Sequence, residues 1–174
     1  MKKITGLIIV LCATPLFLQA QNKAVRNFQE KYRNDRDATY VEITGSLFRF
    51  ISEVANAART GENTETDQEM EAMARVANGI TSLKILSIPK YESGLKAQEI
   101  NNLRSSLEKD NYELLMSVKE GARFLYFMAQ GNENELRNIL VLIDDKDEFT
   151  LLNIDGTLTT IDLSYLTKNH LNWH

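Results

Sequence analysis

The fold is decided between residues 112 and 154, where the sequence reads YELLMSVKEGARFLYFMAQGNENELRNILVLIDDKDEFTLLNI. Short runs of β-branched and aromatic residues alternate here with polar links, a pattern that is typical of strands and turns. The links at 120–121, 131–135 and 144–148 are too short for anything but antiparallel neighbours. The stretch therefore predicts a four-stranded antiparallel meander with strands at 112–119, 123–129, 136–143 and 149–154.

Upstream of the meander, helical and strand patterns are mixed. Apolar spacings of three and four residues predict helices, and two β-branched runs predict strands. Asp155-Gly156 is predicted to end the meander, and Thr160 can cap a last short helix that carries Ile161, Tyr165 and Leu166. No repeat or linker divides the chain, so we expect one α+β domain over residues 21–174. The predicted helices lie at 24–33, 46–60, 68–79 and 95–108, and the strands at 39–43 and 82–88.

The first twenty residues have the pattern of a secretory signal peptide. Two lysines open the chain, an apolar run extends from Ile4 to Leu18, and the small residue Ala20 precedes the polar Gln21. This order of charge, apolar run and small residue predicts cleavage between Ala20 and Gln21. One alternative is a buried N-terminal helix. The other is a membrane anchor, but the apolar run is too short to cross a bilayer. We therefore expect a periplasmic or secreted bacterial protein.

Cys12 is the single cysteine of the chain. A lipid-anchored cysteine follows a small residue at the end of an apolar run, whereas Leu11 precedes Cys12 and the run continues beyond it. A lipoprotein is therefore disfavoured. Removal of the signal peptide would leave a chain without thiols, which excludes disulfides, thiolate metal sites and a cysteine nucleophile.

The charge balance argues against nucleic acid as a partner. The chain has 24 acidic and 20 basic residues, and cleavage would remove Lys2 and Lys3 but no acid. The basic residues between 23 and 36 alternate with Glu30, Asp35 and Asp37, as on a solvated helix face. Nucleic acid and anionic lipid both need a concentrated basic patch, and the sequence offers none.

No catalytic, cofactor or metal site is predicted. The two histidines, His170 and His174, lie in the C-terminal tail, and no Gly-rich phosphate loop or Gly-x-Ser-x-Gly motif occurs. The acidic stretch 144–148 invites a calcium interpretation, but it lacks the glycine of a sharp cation loop and contains Lys146. A polar hairpin turn is the simpler interpretation. We expect no cofactor.

The meander provides the one candidate interaction face. Residues 123–129 and 136–143 are apolar on both sides of the strand, which predicts interior strands covered on both faces. We expect the helices at 46–60, 68–79 and 96–108 to cover one face. The other face is then either thinly covered by the terminal helices or is the contact surface for a partner or a second copy; complete coverage is the third possibility. Its predicted residues are Leu125, Phe127, Leu140 and Leu142.

Four segments resemble a bacterial family of exported proteins that is catalogued as domain of unknown function 4252. They are TYVEITGSLF at 39–48, ITSLKILS at 80–87, YELLMSVK at 112–119, and a long segment at 136–166. That last segment reads LRNILVLIDDKDEFTLLNIDGTLTTIDLSYL. The resemblance implies a secreted or envelope-associated protein and carries over no catalytic residues.

These observations favour a non-enzymatic binding or accessory module of the bacterial cell envelope. Its partner would be an envelope protein or a second copy. The rival function is an envelope-polymer hydrolase that uses only Asp, Glu or Ser side chains. Two carboxyl groups with opposed pKa shifts in a cleft would favour the hydrolase, and an exposed apolar patch would favour binding.

Overall fold

A computed structural model describes residues 23–61 and 64–161 of the chain. The elements within these ranges, in chain order, are α1 (Lys23–Tyr32), β1 (Thr39–Thr44), α2 (Gly45–Ala57), α3 (Glu65–Gly79), β2 (Ile80–Pro89), α4 (Lys90–Ser93), α5 (Ala97–Lys109), β3 (Glu113–Glu120), β4 (Arg123–Asn132), β5 (Glu135–Asp144) and β6 (Glu148–Thr159). The short helix α4 was not predicted, and α3 begins three residues before the predicted start at Gln68.

The strands form one antiparallel sheet in the order β1-β2-β6-β5-β4-β3. The last four strands are neighbours in chain order, so the predicted meander is confirmed. β2 pairs with the free side of β6, and β1 pairs with β2 at the edge. The mixed α+β class is confirmed as well.

One face of the sheet, here called the first face, lies under α1 and α5. The helices bury apolar side chains at spacings of three and four residues against the sheet, as amphipathic helices do. Phe28 of α1 packs edge-on against Phe149 of β6, with ring centroids 5.6 Å apart. The largest buried cluster of the described residues lies here; it includes Val25, Phe28, Tyr32, Leu86, Ile88, Ile100, Leu103, Leu107, Met128, Leu140, Leu142, Phe149 and Leu151.

The opposite or second face carries the helical hairpin formed by α2 and α3. The hairpin is inserted between β1 and β2, and Val76 of α3 packs against a smaller cluster that includes Ile139 and Leu158. The expectation that the helices at 46–60, 68–79 and 96–108 share one face was therefore wrong. The third of them, α5, lies on the first face together with the N-terminal helix α1.

Asp155-Gly156 does not end the meander, contrary to the sequence-based expectation. β6 continues to Thr159 and pairs there with Glu135. Gly156 has φ +152° at a point where the register shifts against both neighbouring strands, so it allows a bulge rather than a turn. The signal peptide, the cleavage site at Ala20 and Gln21, and most of the predicted final helix lie outside the described residues.

Candidate interaction faces

The two faces of the sheet differ in how completely they are covered. Leu140, Leu142 and Leu151 point to the first face and are fully buried. Val141 and Leu152 alternate with them in the same strands, point to the second face and are only half-buried. Because these side chains share their strands, the difference reflects the helices above them. The second face is the less covered one.

The second face is mostly apolar, and Thr39, Ser87 and Thr150 form a polar row beside Ile143. Towards the two edges of the sheet, Val41 of β1 and Met116 and Val118 of β3 are 42%, 49% and 44% exposed. The alternation of the strands places no charged side chain among the central positions of this face. The apolar residues of this face include Val41, Ile43, Leu83, Ile85, Met116, Val118, Leu125, Phe127, Val141, Ile143 and Leu152.

The four residues predicted to form one interaction face do not lie together. Leu125 and Phe127 oppose Ile143 and Val141 across β4 and β5, and they point to the second face. Leu140 and Leu142 point to the first face, where they are core residues. The grouping was therefore wrong for Leu140 and Leu142. An interaction role of Leu125 and Phe127 stays a prediction.

A single bulge explains the error. Next to the β4–β5 turn, Gly131 pairs with Leu136 and Gln130 with Arg137, a register that would place Leu125 opposite Leu142. Asn138, with φ +48°, adds one residue to β5 and shifts all later pairs. A one-residue shift moves a strand's side chains to the other face.

α2 leaves three of its large apolar side chains exposed. Its inward side carries the buried Ser52 and Ala55 together with the partly buried Phe48 and Ile51. Leu47, Phe50 and Val54, here called the α2 stripe, are 47%, 60% and 51% exposed. Their spacing of three and four residues places them along one side of the helix. The α2 stripe therefore adds a second exposed apolar surface to the molecule.

One outer edge of the sheet is formed by β3, whose eight residues are all exposed. Its register shifts between Leu114 and Met116, and it ends in Lys119 and Glu120. A bulge and charged ends protect an edge strand from pairing with another chain. The edge is therefore less suited to a partner than the two apolar surfaces.

A polar cluster interrupts the first face near β1. Asp155 accepts hydrogen bonds from Lys84 Nζ at 2.8 Å and Ser82 Oγ at 2.7 Å, and from Asn153 Nδ2 at 3.1 Å. Burial opposes ionisation of Asp155, but the bonds from Lys84 and Ser82 outweigh it and hold its pKa below the ordinary value. Burial also raises the pKa of the nearby Tyr112 hydroxyl, and the Asp155 carboxylate adds to that rise. The cluster holds a paired charge rather than a free nucleophile.

This cluster was not predicted from the sequence. Its signal was Lys84, which stands in the middle of the apolar strand 80–89, two residues before the buried Leu86 on the same face. A charged residue at such a position needs a partner of opposite charge.

We expect Lys84→Met to lower the free energy of unfolding by about 1 to 3 kcal/mol at pH 7, because it leaves a partly buried carboxylate without its cation. The folded-state pKa of Asp155 is depressed. The stabilisation is therefore complete above the unfolded pKa of about 4 and is lost as the pH falls through the folded pKa. The free energies of unfolding of the parent and the variant, measured by urea titration, should converge below the folded pKa of Asp155. Lys31→Met, at a more exposed ion pair with Glu99, is the control and should change stability by less than about 1 kcal/mol. A difference in the free energy of unfolding between the parent and Lys84→Met that does not vary with pH contradicts this account.

The acidic stretch 144–148 forms the β5–β6 turn. Asp144 bonds to Lys90, and Asp145 pairs with Arg123 at 2.7 Å, an interaction that lowers the pKa of Asp145. The backbone N–H of Asp145 donates to the carbonyl of Glu148, which closes the turn. Among the described residues, no group of His, Cys, Asp and Glu has the arrangement of a metal site.

A groove of about 300 Å³ runs between α1 and α5. Glu99 lies at its wall and accepts hydrogen bonds from Lys31 Nζ and from the Tyr32 hydroxyl, the latter at 2.7 Å. These bonds lower the pKa of Glu99 to about 2. The ion pair between Lys31 and Glu99 joins α1 to α5. The residues of the groove therefore hold the two helices of the first face together.

Comparison with known proteins identifies a single domain family. The family model described as Domain of unknown function (DUF4252) matches residues 32–166, which is most of the chain. Searches of curated proteins and of solved structures found no match. None of the helices in the described ranges is long and apolar enough to cross a bilayer.

Proposed function

The chain belongs to the family catalogued as Domain of unknown function (DUF4252), and we propose that it is an exported, non-enzymatic binding or accessory module of the bacterial cell envelope. The N-terminal pattern of residues 1–20 supports export. The proposed contact surface is the α2 stripe. The proposed partner is an envelope protein that presents an apolar groove or helix face.

The exposure of Leu47, Phe50 and Val54 carries this proposal. An amphipathic helix normally buries its apolar side against its own domain. α2 buries Ser52 and Ala55 and partly buries Phe48 and Ile51, and the three residues of the α2 stripe remain exposed outside that contact. Apolar residues at these spacings are the anchors of helix-in-groove recognition. Burial of three such side chains in a partner contributes several kcal/mol, on the order of 1 to 2 each.

The charged residues of α2 fit the same interpretation. Arg49 and Glu53 alternate with the α2 stripe and are exposed. Arg49 donates a hydrogen bond to Ser46 Oγ on its own helix, at 3.1 Å. An apolar stripe with a polar rim is the usual composition of an interaction surface.

The hydrolase alternative has less support. It requires two carboxyl groups whose pKa values are shifted in opposite directions. Glu99, Glu135, Asp145 and Asp155 are described carboxyl groups with shifted pKa values, and each of these four shifts is downward. Each of these groups accepts a hydrogen bond from a Lys or Arg side chain. None of these four groups therefore provides the carboxyl group with a raised pKa that such a pair needs.

The experiment is site-specific photo-crosslinking in the producing bacterium. A photo-reactive amino acid replaces Phe50 in the full chain, and in a control chain it replaces Glu53 on the same helix. We expect a product of one discrete mass from position 50, weak or absent at position 53, and lost when Leu47→Asp and Val54→Asp are added. Folding should persist, because these side chains are half-exposed.

Two further outcomes decide the proposal. Equal crosslinking at both positions, or none at position 50, contradicts it, and a product of twice the chain mass identifies a second copy as the partner. Intact-mass measurement of the same preparation should show a chain that begins at Gln21. A chain that still carries Met1 contradicts export.

A further inference from the structure

Two aromatic rings of β4 lie parallel to each other on the first face. Phe124 and Tyr126 are two residues apart in the strand and so share a face, and Tyr126 opposes Leu142 of that face. Their ring planes differ by 3°, and the ring centroids are 6.3 Å apart. Both side chains are half-buried, and β3 beside them is exposed along its whole length. The two rings therefore form a partly exposed aromatic surface at the β3–β4 side of the first face.

Each of these rings carries a cation. The guanidinium carbon of Arg104, which comes from α5, lies 3.9 Å from the ring centroid of Tyr126. The ammonium group of Lys119, which opposes Phe124 across β3 and β4, lies 5.2 Å from the ring centroid of Phe124. A cation–π contact attracts the cation through the ring quadrupole and leaves its positive charge uncompensated. Arg104, Lys119, Phe124 and Tyr126 are here called the ring–cation cluster.

Neither cation of the cluster has an acidic partner. In the part of the chain that the structure describes, no carboxylate lies within ion-pair distance of Arg104 or Lys119. Asp144 opposes Phe124 on the other neighbouring strand, but its carboxylate is bonded to Lys90. The chain has more acidic than basic residues, 24 against 20, so cations without a carboxylate partner stand out from the charge balance. The ring–cation cluster can therefore accept a carboxylate from outside the chain.

We propose that the ring–cation cluster binds an acidic peptide segment of another protein, with one carboxylate at Arg104 and a second at Lys119. A guanidinium group is weakly hydrated, stacks on aromatic rings, and matches a carboxylate with two parallel hydrogen bonds. Binding of acidic motifs by Arg side chains is a recurrent mode of peptide recognition. Phe, Tyr and Arg are also residue types that are enriched at protein interfaces.

The charges around the cluster favour a ligand with few carboxylates over a polyanion. Nucleic acid and anionic lipid are held by many basic residues over a broad surface. Here Glu108 lies one helical turn beyond Arg104, and Glu120 follows Lys119 in β3. These acidic side chains repel a ligand of dense negative charge. The inference goes beyond the proposed function, because the α2 stripe is a different surface.

The test is an NMR titration of the purified, isotope-labelled chain. The probes are three peptides with blocked ends, in which two glutamates are separated by one, two or three serines, and the probe controls contain glutamine in place of glutamate. The double variant Arg104→Gln/Lys119→Gln removes both cations of the cluster. The matched control Arg26→Gln/Lys109→Gln removes the same charge from exposed positions of α1 and α5. Circular dichroism verifies that both variants are folded.

We expect at least one glutamate peptide to shift the side-chain N–H signal of Arg104 and the backbone signal of Lys119. Its dissociation constant should rise at least tenfold in Arg104→Gln/Lys119→Gln and by less than about twofold in the matched control. Added salt should weaken the binding, since the contacts join exposed charges.

Four results overturn the proposal. They are equal losses of affinity in the two double variants, equal shifts with the glutamine peptides, no shift at the cluster with any glutamate peptide, and tighter binding of an oligogalacturonate. The last of these would identify an acidic saccharide as the ligand instead of a peptide. None of these outcomes depends on the crosslink at Phe50.

Discussion

Leu142→Ala should lower the free energy of unfolding by about 2 to 5 kcal/mol, the range for truncation of a fully buried leucine. Leu142 is buried on the first face, and it opposes Tyr126 and Leu151 on the neighbouring strands. Leu125→Ala is the matched control, because Leu125 lies one register position away on the second face and is half-buried. Its cost should be about 1 to 2 kcal/mol.

Urea unfolding of the two variants measures both values. The difference between the two losses in free energy of unfolding tests the register of the structure. In the register predicted from the sequence, residues 125, 127, 140 and 142 all share a face. Equal costs for Leu142→Ala and Leu125→Ala would contradict the observed assignment of faces.

Gly156→Ala should be comparably damaging, although it adds a single methyl group. A Cβ at Gly156 would lie 2.2 Å from the carbonyl oxygen of Gly79 and 3.0 Å from the Cα of Ile80, and φ is +152°. Both contacts are with backbone at the junction of α3 and β2, which cannot rotate away. Backbone strain and overpacking together predict a loss of about 3 kcal/mol or more.

Gly121→Ala is the control for the backbone effect alone. Gly121 has φ +60° in the β3–β4 turn, and a Cβ there would meet nothing within 4 Å. Its cost should be about 1 to 2 kcal/mol, that of a left-handed conformation. Thermal unfolding measures the loss of stability in Gly156→Ala and in Gly121→Ala. Equal decreases in melting temperature would show that the contact with Gly79 does not constrain the junction.

The meander could be predicted from the sequence because its evidence is local. The Glu120-Gly121 link and the apolar runs on either side of it leave few alternatives to antiparallel pairing. The assignment of faces was not local, since it depended on the bulge at Asn138, which shifts the register between β4 and β5. An Asn inside the apolar stretch 136–143 was the only signal of this bulge.

The candidate surfaces were less predictable than the fold. The pattern of Leu47, Phe50 and Val54 indicates an amphipathic helix, and the usual interpretation buries that pattern in the core. The burial of Ser52 and Ala55, with Phe48 and Ile51 partly buried beside them, shows that the stripe faces outward. Which side of a helix meets its own domain is a tertiary property, and a single sequence does not encode it in any local pattern.

The position of the helical hairpin between β1 and β2 has a consequence for the order of folding. Thr44 and Ser82 are paired neighbours in the sheet, yet all of α2 and α3 separates them along the chain. Closing so long a loop costs more entropy than closing the short turns of β3 to β6, and high contact order slows a pairing. The meander can therefore serve as the folding nucleus, with β2 docking onto β6 afterwards. β1, which pairs only with β2, is then the last strand to join and the first to detach during local unfolding.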